Sequence, residues 1–147
     1  FDGRMEFGPR ALGARSIIAD ARNQKMQKKL NLKIKFRESF RPFAPIVLDE
    51  DRAKYFDIKQ ESPYMLIVAP VKSDLRINEE NSEESDDFDM LRKINMLRSS
   101  IPAITHIDYS ARVQTVDNIR NPELYELLNI YKKKTGVRGY NLPCRKF

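Results

Sequence analysis

The sequence predicts an α/β fold, in which short apolar strands alternate with amphipathic helices. Apolar runs at residues 43–48 and 64–71, the second nearly continuous, are typical of buried strands. Apolar residues recur at helical spacing in residues 23–34 and again after Asn121. With 147 residues, of which 41% are hydrophobic, the chain is large enough for one domain with its own core.

The first half of the chain divides into alternating turns, strands and helices. Residues 6–13 are predicted to form a tight turn that enters one helical turn, and residues 16–19 a short strand. In residues 23–34 the apolar positions recur every four residues, which predicts a helix. A strand is predicted at 43–48, and a short helix at 50–56, where acidic residues gather at the positive end of the dipole.

The second half begins with residues 64–71, which read as a buried central strand of a mixed or parallel sheet. The acidic segment 78–89 predicts a loop, and residues 88–97 a short amphipathic helix. Strands are predicted at 102–107 and 112–116 around a turn at 108–110. The last helix opens at Asn121 and stops at Gly136, and its apolar face is predicted to contain Leu124, Leu127, Leu128 and Tyr131.

Composition excludes several classes of protein. The longest apolar run, residues 65–71, is too short to span a bilayer, and no secretory signal pattern opens the chain. A single cysteine, Cys144, permits no internal disulfide and fits a cytoplasmic protein. A single histidine, His106, excludes a multi-histidine metal site, so no metal site is predicted on this chain.

The net charge of +6 is unevenly distributed. Basic residues exceed acidic ones by six in residues 1–60 and by four in residues 101–147, whereas acidic residues exceed basic ones by three in residues 72–100. The basic surplus lies beside Gly and Pro residues that stiffen the backbone, such as Gly8, Pro9 and Pro42. Fixed arginines and lysines suit a small phosphate or carboxylate, and the same surplus also suits nucleic acid or an ordinary basic surface.

Long motifs in this chain resemble the O-carbamoyltransferase family, which includes nodulation, cephamycin and tobramycin carbamoyltransferases. They are GRMEFGPRALGARSIIAD (residues 3–20), IKFRESFRPFAPIVL (34–48), PYMLIVAPV (63–71), IPAITHIDYSARVQTV (101–116) and NPELYELLNIYKKKTGV (121–137). The resemblance implies a twisted mixed sheet with flanking helices, of the YrdC-like type. It also implies that residues 1–147 are one C-terminal domain from a longer chain, with an acidic insert at 72–100.

The resemblance further implies the chemistry. In this family the C-terminal domain binds carbamoyl phosphate and ATP, with Mg, and makes carbamoyl adenylate. A preceding actin-like ATPase-type domain, which holds Fe or another metal, then transfers the carbamoyl group to a hydroxyl. The implied partners are therefore small-molecule phosphates and that preceding domain, with no membrane. The isolated piece is expected to be inactive in the full transfer.

Six residues match the family's basic and polar motif positions. Lys35 and Arg41 are expected to be catalytic and to contact carbamoyl phosphate, because fixed cations lower the cost of bringing anions together. Arg37 is expected on the nucleotide side, and the site role of His106 competes with that of a hydrogen-bonded core histidine. The implied substrate-binding residues are Arg10, Lys35, Arg37, Arg41, His106 and Arg112.

Two departures from the family pattern are visible. Tyr109 stands where the family has glycine, so the backbone there is expected to be less free to take a positive φ. The family continues into an Asn-Thr-Ser-Phe-Asn motif, whereas residues 138–147 here read RGYNLPCRKF. This atypical, truncated tail is expected to leave the pocket without one wall and the sheet without a strand.

Two other functions stay open at this point. One is a basic RNA-binding module, whose affinity would fall steeply with salt. Against it, the aromatic residues lie in apolar runs rather than in the exposed clusters that stack on single strands. The other is a degenerate domain retained only for packing.

Overall fold

A mixed five-stranded sheet forms the centre of the computed structural model, which describes residues 3–4, 6–77, 96–136 and 139–142. The strand order is β1-β5-β2-β4-β3. β2 and β4 pair in parallel, with Ile46 opposite Gln114, and the other neighbours are antiparallel. The strands are β1 (Ala19–Asp20), β2 (Ala44–Leu48), β3 (Ile67–Pro70), β4 (Ser110–Val116) and β5 (Gly139–Leu142).

The helices predicted at 23–34, 50–56 and after Asn121 are present and flank this sheet. α1 (Met26–Leu30) continues into a π-helical segment, Asn31–Lys35, and a 3-10 turn at Asp49–Asp51 leads into α2 (Arg52–Tyr55). The longest helix is α3, Pro122–Thr135, and a second 3-10 turn lies at Ser73–Leu75. Within the described ranges, every helix is too short or too polar to cross a bilayer. The α/β class with a mixed sheet and flanking helices is therefore confirmed.

Asn121 and Gly136 bound α3 as predicted. The Asn121 side chain accepts a hydrogen bond from the Leu124 N–H at 3.1 Å, and Gly136 takes a left-handed φ of 69°. Leu124 and Leu128 are buried, but Leu127 is 52% exposed, so the apolar face is narrower than predicted. Near the other end, Lys132 binds the buried carboxylate of Asp51.

The two faces of the sheet carry separate cores. On one face Leu30 of α1 packs with Phe43, Val47 and Val113. On the other face Leu124 and Leu128 of α3 pack with Ile46, Leu48, Met65 and Val116, together with Leu12 and Ile18 from the N-terminal segment. Because successive strand residues face opposite sides, the two cores alternate along β2 and β4. Both faces of this parallel pair are therefore covered.

Four strand and turn predictions differ from the structure. Residues 64–71 are not a central strand: β3 covers only Ile67–Pro70 at the edge of the sheet, where Leu66 and Val68 are 76% and 60% exposed. An edge position also suits Pro70, which has no N–H to donate. The predicted strand at 16–19 is reduced to Ala19–Asp20, residues 102–107 form turns, and residues 6–13 contain no helical turn.

The expected loss of a sheet strand at the C-terminus is also wrong. The backbone of Gly139–Leu142 forms β5, which pairs antiparallel with both β1 and β2. The atypical sequence therefore still completes the sheet, because backbone hydrogen bonds supply most of the pairing and tolerate many side chains.

The predicted acidic loop at 78–89 and most of the predicted helix at 88–97 lie outside the described residues. The residues just before and just after this segment lie side by side, because Arg76 and Ser99 form an antiparallel bridge. The Ile77 N–H donates to the Arg98 carbonyl at 2.8 Å. The return of this segment thus lies directly beside its start.

Gly13 gives a test of how tightly the N-terminal segment packs on α3. Its φ is +133°, and an added Cβ would lie 2.4 Å from Cδ2 of the buried Leu124. We expect Gly13→Ala to lower the free energy of unfolding by about 2–3 kcal/mol, from overpacking and backbone strain together. Urea denaturation measures the loss.

Gly8→Ala is the matched control, since Gly8 also has a positive φ (+106°) but nothing within 4 Å of the added atom. That substitution should cost about 1 kcal/mol from the backbone alone. Equal losses in the two variants would show that Gly13 is not held against Leu124.

Candidate functional site

A buried amide holds the loop that contains the predicted cations Lys35, Arg37 and Arg41. Asn31 is fully buried, and its Nδ2 donates to the carbonyls of Ser39 and Arg41 at 3.1 and 2.8 Å. The backbone of Phe36, at φ 49° and ψ 52°, ends the π-helical segment and starts the loop. The Gln27 side chain adds a hydrogen bond to the Phe40 carbonyl. The loop is therefore tied to the helical segment by side-chain amides.

Arg37 and Lys35 lie at the base of this loop. The Arg37 Nε donates to Oδ1 of Asn31 at 2.6 Å, and its guanidinium lies 5.0 Å from the centre of the Phe43 ring. These contacts give Arg37 a role in loop geometry, which leaves its predicted nucleotide contact untested. Lys35 is half-buried at the last position of the π-helical segment.

The turn at 108–110 positions His106. The carboxylate of Asp108 accepts hydrogen bonds from the N–H and the hydroxyl of Ser110, at 3.0 and 2.7 Å. The His106 N–H donates to the Ser110 carbonyl, and the Tyr109 N–H donates to the His106 carbonyl. Asp108 thus has the turn-forming role that its residue type favours.

The expectation about Tyr109 is wrong, since this residue takes φ 60° despite its side chain. Its carbonyl accepts a hydrogen bond from Val71 at 2.8 Å, and the guanidinium of Arg76 lies 5.1 Å from its ring centre. These contacts offset the backbone cost. The turn therefore keeps the conformation that glycine would allow.

Arg41 and His106 meet in one cavity of about 320 Å³, a volume within the range of small-molecule sites. Arg98, which follows the acidic segment in the chain, also lines this cavity. Arg41 is exposed and lies 3.7 Å from the carboxylate of Glu38, which leaves its guanidinium accessible. The remaining lining residues are Gln24, Gln27, Phe40, Pro42, Met96, Leu97, Pro102, Thr105 and Ile107.

His106 is electrostatically coupled to its surroundings. Partial loss of hydration lowers the pKa of His106 below its ordinary value of 6.5, the nearby Asp108 carboxylate opposes this, and the charge of Arg112 lowers the pKa further. The structure therefore brings the charge of Arg112 within range of the imidazole. At neutral pH His106 is uncharged and can donate or accept a hydrogen bond.

Arg10 lies apart from this group, in the segment over the opposite end of β4. There the Glu6 carboxylate accepts hydrogen bonds from the N–H groups of Leu12 and Ala14, both at 2.8 Å. The Gln114 side chain donates to the Leu12 carbonyl at 2.6 Å. Arg10 is half-buried in this segment and is not among the described residues that line the Arg41 cavity.

The structure adds residues that the sequence did not single out. Arg98 reaches the cavity only because the two ends of the acidic segment meet. Asn31 and Gln114 resemble ordinary polar residues in sequence, and only their burial shows that they organise loops. Within the described ranges, no group of three or more His, Cys, Asp or Glu residues could hold a metal ion.

A family model and individual relatives of this chain indicate the same family. The family model described as "Carbamoyltransferase C-terminus" matches residues 1–140. The chain is 56% identical to protein sll1178 of Synechocystis sp. over 98% of the chain and 25% of that protein. It is 41% identical to nodulation protein NolNO of Sinorhizobium fredii, over 92% of the chain and 17% of that protein.

The chain is also 38% identical to 3'-hydroxymethylcephem-O-carbamoyltransferase of Streptomyces clavuligerus, over 92% of the chain and 20% of that enzyme. It therefore spans a quarter or less of the length of these relatives. The similarity concerns one part of proteins that are several times longer.

His106 can be titrated without ambiguity because the chain has one histidine. We expect its pKa, followed by proton NMR of the imidazole, to lie below 6.5 and to rise in Arg112→Met, which removes the like charge. Asp108→Asn should lower it further. Since the folded pKa is the lower one, this group's contribution to stability is complete above about pH 6.5 and declines as the pH falls below that value. An unchanged pKa in Arg112→Met would contradict the coupling.

Proposed function

Because the chain belongs to the carbamoyltransferase family, as a C-terminal domain of that family, we propose that it binds carbamoyl phosphate and ATP and forms carbamoyl adenylate. The adenylate would serve O-carbamoyl transfer to a hydroxyl acceptor. The YrdC-like form of the fold belongs to the same proposal. The observation that carries it is the cavity in which Arg41 and His106 meet with Arg98.

The chemistry requires positive charge more than a nucleophilic side chain. Carbamoyl phosphate must lose its phosphoryl group to water, which releases inorganic phosphate and carbamate. An oxygen of carbamate then bonds to the α-phosphorus of ATP, and the bond from that phosphorus to the bridging oxygen breaks to release pyrophosphate. Carbamoyl phosphate, carbamate and ATP are all anions, so fixed guanidinium groups would stabilise both the bound state and the transition state.

The residues of this chain divide that work in the proposal. Arg41 and Arg98 would bind phosphate oxygens, since a guanidinium offers two parallel donors. Neutral His106 would add a hydrogen bond without taking a proton from the other participants. Lys35 and Arg112 would contribute charge from the loop base and from β4. Arg10 is retained as a proposed phosphate contact from the N-terminal segment.

Mg²⁺ fits this proposal as a companion of the nucleotide. It is usually bound through substrate phosphates with few protein carboxylates, and the described residues provide no acidic cluster that would hold it alone. When bound, Mg²⁺ would neutralise charge on the phosphates of ATP. The protein residues would then have to hold the carbamoyl phosphate and orient the two substrates.

Binding of carbamoyl phosphate tests the cavity. We expect Arg41→Met to weaken the affinity about tenfold or more, the usual effect of losing a charge-assisted hydrogen bond. Calorimetry measures the affinity. The bound anion should also raise the pKa of His106, because it stabilises the imidazolium.

Arg22→Met is the matched control, since Arg22 is another exposed arginine with a carboxylate partner, Asp20, and does not line the cavity. Its affinity should match that of the unaltered chain. Equal weakening by both substitutions would reduce the effect to net charge and would contradict a site at Arg41.

We propose that transfer of the carbamoyl group to a hydroxyl requires regions of the longer relatives that lie outside the segment matched by this chain. We expect the 147-residue chain, given carbamoyl phosphate and ATP with Mg²⁺, to carbamoylate no 3'-hydroxymethylcephem. A chimera of the Streptomyces clavuligerus enzyme, in which this chain replaces its matched segment, should form the product. Mass spectrometry measures it, and product formed by the chain alone would contradict the division of labour.

A further inference from the structure

Two buried hydroxyl groups lie in the segment that connects Arg98 to His106. Ser99 is fully buried and Thr105 is 5% exposed, and their side-chain oxygens are 2.6 Å apart. Each hydroxyl is on the neighbour of a residue that lines the Arg41 cavity, since Ser99 follows Arg98 and Thr105 precedes His106. The contact between the two hydroxyls therefore limits how far apart the chain places Arg98 and His106.

The two hydroxyls belong to a closed ring of hydrogen bonds that starts and ends at Ile101, here called the hydroxyl ring. The Ile101 N–H donates to Oγ of Ser99 at 3.2 Å, and Oγ1 of Thr105 donates to the Ile101 carbonyl at 2.9 Å. Because the single hydroxyl proton of Thr105 is used on that carbonyl, Ser99 must be the donor to Thr105. Every donor in the ring then has an acceptor, and the hydrogen bonds of such a chain strengthen one another.

The hydroxyl ring gives a physical reason why residues 102–107 form turns although their sequence predicts a strand. Ser and Thr side chains that bond to nearby backbone groups compete with the hydrogen bonds of a sheet. Ile101, which closes the ring, is 5% exposed and belongs to the core that contains Phe43 and Val47. The ring is therefore attached to the core rather than to a surface loop.

The same segment also holds the loop of Arg41. The Phe43 N–H donates to the Ala103 carbonyl at 2.9 Å, and Phe43 follows Arg41 by two residues. Arg41, Arg98 and His106 are therefore each attached, within one or two residues, to the segment whose shape the hydroxyl ring fixes. All three line the Arg41 cavity.

We propose that Ser99 and Thr105 are positioning residues, whose hydroxyl ring holds the guanidinium of Arg98 and the imidazole of His106 at the spacing that an anion in the Arg41 cavity requires. This inference rests on the proposed function. Ser99 has no exposed surface, so it acts only through its neighbours and not by touching a bound molecule. A misplacement of about 1 Å in groups that hold a substrate can slow a reaction about 100-fold.

The test compares Ser99→Ala with the unaltered 147-residue chain by calorimetric titration with carbamoyl phosphate. We expect the affinity to fall about tenfold, because the ring opens and Arg98 and His106 lose their fixed spacing. Ser62→Ala is the matched control. Ser62 is 3% exposed, its Oγ donates to the Val113 carbonyl at 2.9 Å, and it is not among the described residues that line the cavity. This control should lose a similar amount of stability in urea denaturation and keep the affinity.

Two substitutions of Thr105 separate the effect of the hydroxyl from that of the rest of the side chain. Thr105→Val keeps the branched shape and removes the hydroxyl, whereas Thr105→Ser keeps the hydroxyl. We expect Thr105→Val to weaken binding as Ser99→Ala does, and Thr105→Ser to retain most of the affinity. Without ligand, Thr105→Val and Ser99→Ala should also shift the imidazole proton NMR signals of His106, which Ser62→Ala should not.

The outcomes separate the inference from the proposed function. An affinity that Ser99→Ala leaves unchanged, or that Ser62→Ala weakens equally, overturns the inference while the proposed function stands. Failure of the unaltered chain to bind carbamoyl phosphate overturns both. If Ser99→Ala does not fold, the two Thr105 variants decide, and equal affinities in Thr105→Val and Thr105→Ser overturn the inference.

Discussion

The parallel pairing of β2 with β4 is the constraint on which the candidate site depends. It aligns Ile46 with Gln114 and Leu48 with Val116, and both strands are covered on their two faces by separate cores. The segments that precede the two strands therefore lie at the same end of the sheet. There the loop of Arg41 and the turn of His106 line a common cavity. The segment that follows β4 lies at the opposite end of the strands, beside a second cavity that Gln114 helps to line.

Buried amides connect the irregular segments to this frame. Both polar atoms of the Asn31 side chain are hydrogen-bonded to the loop. Nδ2 donates to the Ser39 and Arg41 carbonyls, and Oδ1 accepts from Nε of Arg37. Gln114 holds Leu12 with its nitrogen alone. Both residues are almost completely buried, so each fixes a distant segment through hydrogen bonds that water does not reach. Buried polar groups normally satisfy their hydrogen bonds within the protein.

Several arginines of the chain are paired with carboxylates, so the net positive charge exceeds the positive charge that a bound ligand would contact. Arg22, Arg52 and Arg120 are bound to carboxylates of Asp20, Asp49 and Glu61, and such pairs at the surface add little stability. Arg37 is engaged with Asn31 and Phe43. Net charge therefore predicts attraction of anions in general, whereas recognition depends on the few cations, such as Arg41, that line a cavity.

The α/β class, three helices at their approximate places, the caps of α3 and the family could all be predicted from the sequence, because they follow from local periodicity, residue type and long motifs. It could not determine that residues 64–71 end as an edge strand, since an apolar run looks the same at the edge and at the centre of a sheet. Nor could it show that Tyr109 takes a positive φ, which depends on contacts from Val71 and Arg76. It named Arg41 and His106, but the cavity that they share with Arg98 exists only in the tertiary structure. Those facts arise from pairing between segments far apart in the chain, and no local pattern records which distant groups a side chain will meet.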